Sequence, residues 1–185
     1  EIFNPISSDL DVLRRSIFSN LAIHLKRNQD RGYEDVSLFE IGPVFFGKNP
    51  GEQQIVIGAL KSGKIGRKSW IERERNIDVF DVKSDAVKTL IELGISEPDL
   101  FISDHTKYCY HPGRSGSITL KSDKGSLLAY FGEIHPAIIK KLDFKEPNVY
   151  GFEIFLKNIP EPSKKIRQTK KSFQPSDFQK SQRDF

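Results

Sequence analysis

The stretch "LFEIGPVFFGKNPGEQQIVIGAL", Leu38 to Leu60, constrains the fold more than any other part of the chain. Two strand-forming runs, Val36 to Phe46 and Gln53 to Leu60, are separated by the turn-rich "GKNPG". A connection that short joins antiparallel neighbours. Pro43 has no N–H to give to a ladder, so its strand is expected to be bulged or to lie near an edge there.

The remaining segments extend this pattern. Leu13, Ile17, Phe18, Leu21 and Leu25 recur at helical spacing, with Arg14, Arg15, Lys26 and Arg27 on other faces. The spacing predicts a helix from about Ser16 to Gln29, capped by Ser16, ended by Gly32, and packed on a sheet through Ile17, Leu21 and Leu25. The charged "KSGKIGRKSWIERERN" reads as an irregular excursion anchored by Trp70. In "IDVFDVKSDAVKTLIELG" a short strand to Phe80 is expected, then a helix from about Val82 to Leu93. Asp81 or Ser84 caps that helix, Val87, Leu90 and Ile91 form its buried stripe, and Gly94 stops it. "DLFISDHTKYCY", "SGSITL" and "SLLAYFGEI" read as antiparallel strands, the last two joined by "KSDKG". "HPAIIKKL" is a short helix with Pro136 in its first turn, and "NVYGFEIFL" is a final core strand. Strands and helices in this order lack βαβ regularity, which predicts an α+β fold on a mostly antiparallel sheet flanked by helices.

At 185 residues, 37% hydrophobic and 29% charged, the chain can bury one substantial core. It contains no Met, at position 1 included, and ends in "SQRDF", so a piece of a longer protein is expected. The single Cys109 cannot form an internal disulfide, and no Cys and His cluster has zinc-site spacing. Cys109 reads as a buried bystander in a reducing, cytoplasmic setting. No apolar run approaches the roughly 18 residues of a membrane span. The net charge of +4 is unevenly placed. Lys164, Lys165, Arg167, Lys170 and Lys171 crowd one segment that could lie along an RNA backbone, although Pro160 and Pro162 suit a solvated linker better.

Six separated motifs, "NPISSDLDVLRRS", "RNQDRGYEDVSLFEIGPVF", "DVFDVKSDAVKTLIELG", "YHPGRSGSI", "FGEIHPAIIKKLDF" and "VYGFEIFL", agree in order and spacing with one family. They closely resemble the synthetase-like core of bacterial phenylalanyl-tRNA synthetase beta subunits, over nearly all of residues 4 to 160. The resemblance implies a class II synthetase-like sheet in residues 1–160 and a basic linker in 161–172. Residues 173–185, in "FQPSDFQKSQRDF", resemble the start of a ferredoxin-like anticodon-binding domain, with Gln179 where Pro is common. It also implies a catalytic alpha subunit supported by this core, assembly as two alpha and two beta, tRNA as partner, and, for the whole enzyme, ATP and magnesium, neither of these two bound by this piece.

Such a beta core resembles a decayed copy of the catalytic module, and the residues here fit that reading. Phe46 stands where class II synthetases commonly carry an Arg, and a phenyl ring cannot neutralise a phosphate. In "GFEIFLKNI", Gly151 stands alone, no Arg follows, and Lys157 is the nearby cation without the planar fork of Arg. Gly113 in "YHPGRSGSI" takes the place of a ring that would close a phenylalanine pocket. No catalytic, cofactor-binding or metal residue is therefore expected. His111 and Arg114 could form an anion site, but a turn in which Arg114 pairs with a carboxylate is the simpler reading. His135 reads as a helix-start residue. His24 and His105 lack catalytic companions, and Glu40 and Glu133 read as strand-face carboxylates. A free-standing RNA-binding module, suggested by a pI near 9.1 and the basic tail, is the alternative.

Overall fold

The computed structural model describes residues 6, 11–47, 49, 51–66, 70, 74–121 and 125–161. The expectations for the linker, its five cations and the segment 173–185 lie outside the described residues.

Among the described residues the backbone forms α1 (Phe18–Asp30), β1 (Val36–Phe45), β2 (Gln53–Ser62), β3 (Lys64–Ile65), β4 (Arg75–Asn76) and α2 (Val79–Glu92). These are followed by β5 (Leu100–Ser103), β6 (Tyr110–Leu120), β7 (Ser126–Ile134), α3 (Pro136–Leu142) and β8 (Val149–Phe155). Six strands make one antiparallel sheet in the order β1-β2-β8-β7-β6-β5, and β3 pairs with β4 as a separate ribbon. This is the α+β architecture the sequence predicts. Pro43 lies on the edge strand β1, in unbroken register with Ile55.

The sheet is covered on both faces. On one, Ile17, Phe18, Leu21, Ala22 and Leu25 pack with Val44, Val56, Leu60, Ile134 and Val149, and Ile139 of α3 joins them. On the other, Val82, Ala86 and Leu90 of α2 pack with Ala59, Ala129, Phe131, Phe152 and Ile154. β8 is buried along most of its length because it runs between these two layers.

Ser16 accepts from the Phe18 N–H at 3.2 Å, one residue ahead of the cap position that Ile17 occupies, so α1 begins two residues later than expected. Gly32 and Gly94, both at positive φ, end α1 and α2. Tyr33 N–H reaches Asn28 O and Ile95 N–H reaches Leu90 O, as in Schellman caps.

Four local expectations are corrected. The expected strand to Phe80 is absent, the two-residue β4 ending at Asn76, because Asp78 accepts from the N–H groups of Phe80 and Asp81 while the Asp81 carboxylate accepts from Asp78 N–H. This capping box starts the helix at Val79, with Asp81 in its first turn rather than at its cap. The buried stripe of α2 is Val82, Ala86 and Leu90, at i, i+4 and i+8, with Val87 partly buried and Ile91 exposed on its flanks. Trp70 is 94% exposed rather than a buried anchor. "YHPGRSGSI" is the first part of β6 rather than a turn, the irregularity being a register shift against β7 between Tyr110 and Ser115.

Candidate functional site

Phe46 continues the β1–β2 hairpin, donating its N–H to Glu52 O at 3.1 Å, and its ring is half exposed. Lys157 is exposed in the single 3-10 turn Leu156–Asn158 after β8. Phe45 pairs with Gln53 and Phe155 with Val56, so Phe46 and Lys157 lie toward the same end of the sheet. Gly151 is a packing glycine. A Cβ there would stand 2.6 Å from both Ala59 O and Leu60 Cδ2, and 3.3 Å from the Phe18 ring.

These surroundings do not fit a nucleoside triphosphate. The sheet face beside α1 is covered by that helix and α3, apart from a mainly apolar cavity of about 190 Å³ between them whose one lysine, Lys107, is paired with Glu153, and on the opposite face α2 covers β7 and β8. Open on that face are a recess between α2 and β5, bordered by Lys83 and Glu97, and the hairpin, which presents Phe39, Ile41 and Ile55. The recess between the hairpin and α2, about 300 Å³, is bordered by Lys61 and Lys88. Lys61 is ion-paired with Asp85. A triphosphate needs several converging cations, and an apolar floor beside a neutralised lysine does not supply them.

The polar residues singled out by sequence are mutually engaged. Arg114 grips Glu133 with two donors, Nη2 to Oε1 at 2.7 Å and Nε to Oε2, as the simpler reading predicted. The Glu133 hydrogen bond raises the Arg114 pKa further, and burial beside Glu133 raises that of Tyr150. His111 Nδ1 accepts from Gly113 N–H at 3.0 Å, which closes the local backbone rather than leaving an anion site. His135 caps α3, its Nδ1 accepting from Ala137 N–H at 3.1 Å. Glu40 pairs with Arg14, whose Nε also donates to Pro43 O at 2.9 Å. Glu40 on β1 and Glu133 on β7 are separated by β2 and β8, so they form no carboxylate pair. His24 and His105 are exposed, His105 with its ring 6.3 Å from that of Tyr130.

Sequence reasoning missed a polar cluster under the start of α1. Glu153 is 2% exposed, accepts from Ser16 Oγ at 2.9 Å and meets Lys107 Nζ at 3.0 Å. Burial pulls the Lys107 ammonium down, but the Glu153 carboxylate more than offsets this and leaves its pKa raised. Burial pushes the nearby Cys109 thiol up to about 11 and the fully buried Tyr110 hydroxyl well above its ordinary value. A thiol so protonated is no nucleophile. The available signal was a lone charge in the otherwise apolar "GFEIFL".

The family model of the phenylalanyl tRNA synthetase beta chain CLM domain matches residues 1–156. Phenylalanine–tRNA ligase beta subunits resemble the chain throughout. That of Rhodospirillum rubrum is 43% identical over 98% of this chain and 22% of its own length. That of Paramagnetospirillum magneticum is 40% identical over 98% and 22%, and that of Bartonella henselae 39% identical over 100% and 23%. The chain thus spans less than a quarter of these relatives. Two structures of pyrrolysyl-tRNA synthetase from Desulfitobacterium hafniense superpose with TM-scores of 0.54 and 0.55 at 17% and 15% identity, over 80% of this chain and 48% of theirs. They show a shared class II synthetase fold. Whole-length identity and the family match together establish that the chain belongs to the phenylalanyl-tRNA synthetase beta-chain family, carrying its CLM domain.

Proposed function

We propose that this chain is a non-catalytic framework within an enzyme that joins phenylalanine to its tRNA using ATP and magnesium. In this reading it holds a catalytic alpha subunit in place, in a cytoplasmic assembly of two alpha and two beta subunits. The observation that carries the reading is the hairpin, which ends in Phe46 and opens an apolar face of Phe39, Ile41 and Ile55. Such a surface suits contact with protein, whereas adenylate formation needs positioned cations. Among the described residues no helix is long and apolar enough to cross a membrane.

The domain boundary proposed near residue 160 assigns Lys164, Lys165, Arg167, Lys170 and Lys171 to a basic linker between domains, as RNA contacts.

Phenylalanine-dependent ATP–pyrophosphate exchange tests the framework reading. The pure chain is expected to give none, and the assembled alpha and beta subunits full exchange. Exchange by the pure chain overturns it. Tight tRNA binding by the pure chain, weakening steeply with salt, would favour a free-standing RNA-binding module.

A further inference from the structure

The cavity between α1 and α3 is walled by Phe18 and Ala22 of α1 and Ile138 of α3, over a floor of Leu60, Ile134 and Val149 from three adjacent strands. Packed interiors hold few voids larger than a water molecule, so a space of about 190 Å³ stands out. The other recesses described here carry both signs of charge at their borders: Lys83 with Glu97, Lys140 with Asp143, and Lys61 with Asp85. In this one, among the described residues, Lys107 is the single charged side chain. An apolar cavity of about 150 Å³ stays dry and takes benzene, so this one has room for a six-membered ring and a substituent. Ser19 and Leu142 line it from the two helices and are both exposed, which marks its mouth.

Charge balance at Lys107 selects the kind of ligand. Lys107 Nζ donates to Glu153 Oε2 at 3.0 Å, and Ser16 Oγ donates to Glu153 Oε1 at 2.9 Å. An ammonium group carries three donors, so Lys107 keeps donors for an oxygen in the cavity although the pair as a whole is neutral. A ligand carboxylate would add a second negative charge beside the buried Glu153, and a ligand ammonium a second positive charge beside Lys107. Either would lose its hydration without meeting an unspent counter-charge. We propose that the cavity binds a small neutral aromatic molecule, a single ring bearing a hydroxyl or carbonyl oxygen, with the ring among Phe18, Ala22 and Ile138 and the oxygen accepting from Lys107.

The test illuminates the whole assembled enzyme with phenyl azide, a neutral photoreactive ring of matching size, and maps the labelled peptides. Label is expected in segments 16–22, 107–109 and 138–144 of this chain, which line the cavity. Benzyl alcohol should displace it, while benzoate, benzylammonium and phenylalanine should need at least about tenfold higher concentrations. Ser19→Trp and Leu142→Trp each place a ring at the mouth, from opposite helices and at exposed positions, and each should abolish the label. If one of them fails to fold, the other and the competition series still decide. Absence of label from these segments overturns the proposal, as does label that survives both substitutions or a charged competitor that displaces it as readily as benzyl alcohol. Label on the isolated chain that disappears on assembly would give the cavity to a partner's side chain, and overturns it too. Because the readout is the labelled segment rather than activity, it succeeds or fails separately from the framework reading.

Discussion

Lys107 and Glu153 meet at 3.0 Å between the loop before β6 and the central strand β8, and Ser16 Oγ closes the other side of the carboxylate at 2.9 Å. The start of α1 is thereby tied to the middle of the sheet by a buried charge. Removing one partner of such a pair typically costs about 3–5 kcal/mol, because the other charge stays buried without compensation. Lys107→Met should approach that range, reduced by the part of Lys107 open to solvent. Adding Glu153→Gln should recover much of the loss. Urea unfolding of the single and double variants checks this, and additive losses would show that the two residues act independently.

The same neighbourhood sets an alkaline limit. Cys109 has its pKa raised from 9.0 to about 11, so the folded chain keeps a proton that the unfolded chain releases. A raised folded value gives stability that is complete below the unfolded pKa and lost as pH climbs to the folded one. Stability should therefore fall between about pH 9 and 11, with Cys109 contributing up to about 1.4 kcal/mol per pH unit. The raised Lys107 pKa acts in the same direction from about 10.5 upward. Cys109→Ser should flatten the pH 9–11 slope of the urea midpoint. Below pH 9, the native thiol should react with iodoacetamide on the order of 100-fold more slowly than an unfolded one.

Much of this architecture was legible in the chain because local signals agreed with the fold. Ile17, Leu21 and Leu25 announce a helix with one buried stripe, and "GKNPG" announces the antiparallel hairpin that seeds the sheet. The signals failed where one residue outvoted its neighbours. Val79 and Phe80 favour strands by side-chain shape, yet Asp78 and Asp81 satisfy each other's backbone donors and start a helix across them. Gly113 and Pro112 suggest a turn, yet neighbouring ladders absorb them as an irregularity in a long strand. The Glu153 cluster was not legible, because its partners Ser16 and Lys107 lie 137 and 46 residues away in sequence. Such partners meet only once the fold is known.

Gly151 offers a direct test of the packing reading. Gly151→Ala places a methyl group 2.6 Å from the carbonyl oxygen of Ala59 on the paired strand, and a backbone atom cannot move aside cheaply. The variant should lose about 1–3 kcal/mol, as overpacked cores do. A neutral result in urea unfolding would mean that this glycine is not needed for close approach.

Leu21 lies between α1 and the hairpin and is almost fully buried. Leu21→Ala should cost about 2–5 kcal/mol, combining lost burial with a residual cavity. The denaturant midpoint should shift with little change in its slope, because the surface exposed on unfolding is nearly unchanged.

The boundary near residue 160 makes a last prediction. The final turn of the described core closes with Ile159 N–H on Leu156 O at 3.1 Å, and Asn158 Nδ2 donates to Leu127 O at 2.7 Å, which ties this turn to β7. Ile159 also packs against the α2-side core. A chain ending at residue 161 keeps these contacts, so its urea midpoint should match that of the 185-residue chain. A chain ending at residue 155 removes them and should be measurably less stable. The shorter cut at 161 also removes Lys164, Lys165, Arg167, Lys170 and Lys171. If those residues touch RNA, nonspecific tRNA binding should weaken and its dependence on salt should become shallower, since fewer phosphates are neutralised. Loss of more than about 1 kcal/mol on cutting at 161 would place the tail in the core, and unchanged RNA binding would remove the five cations from any RNA contact.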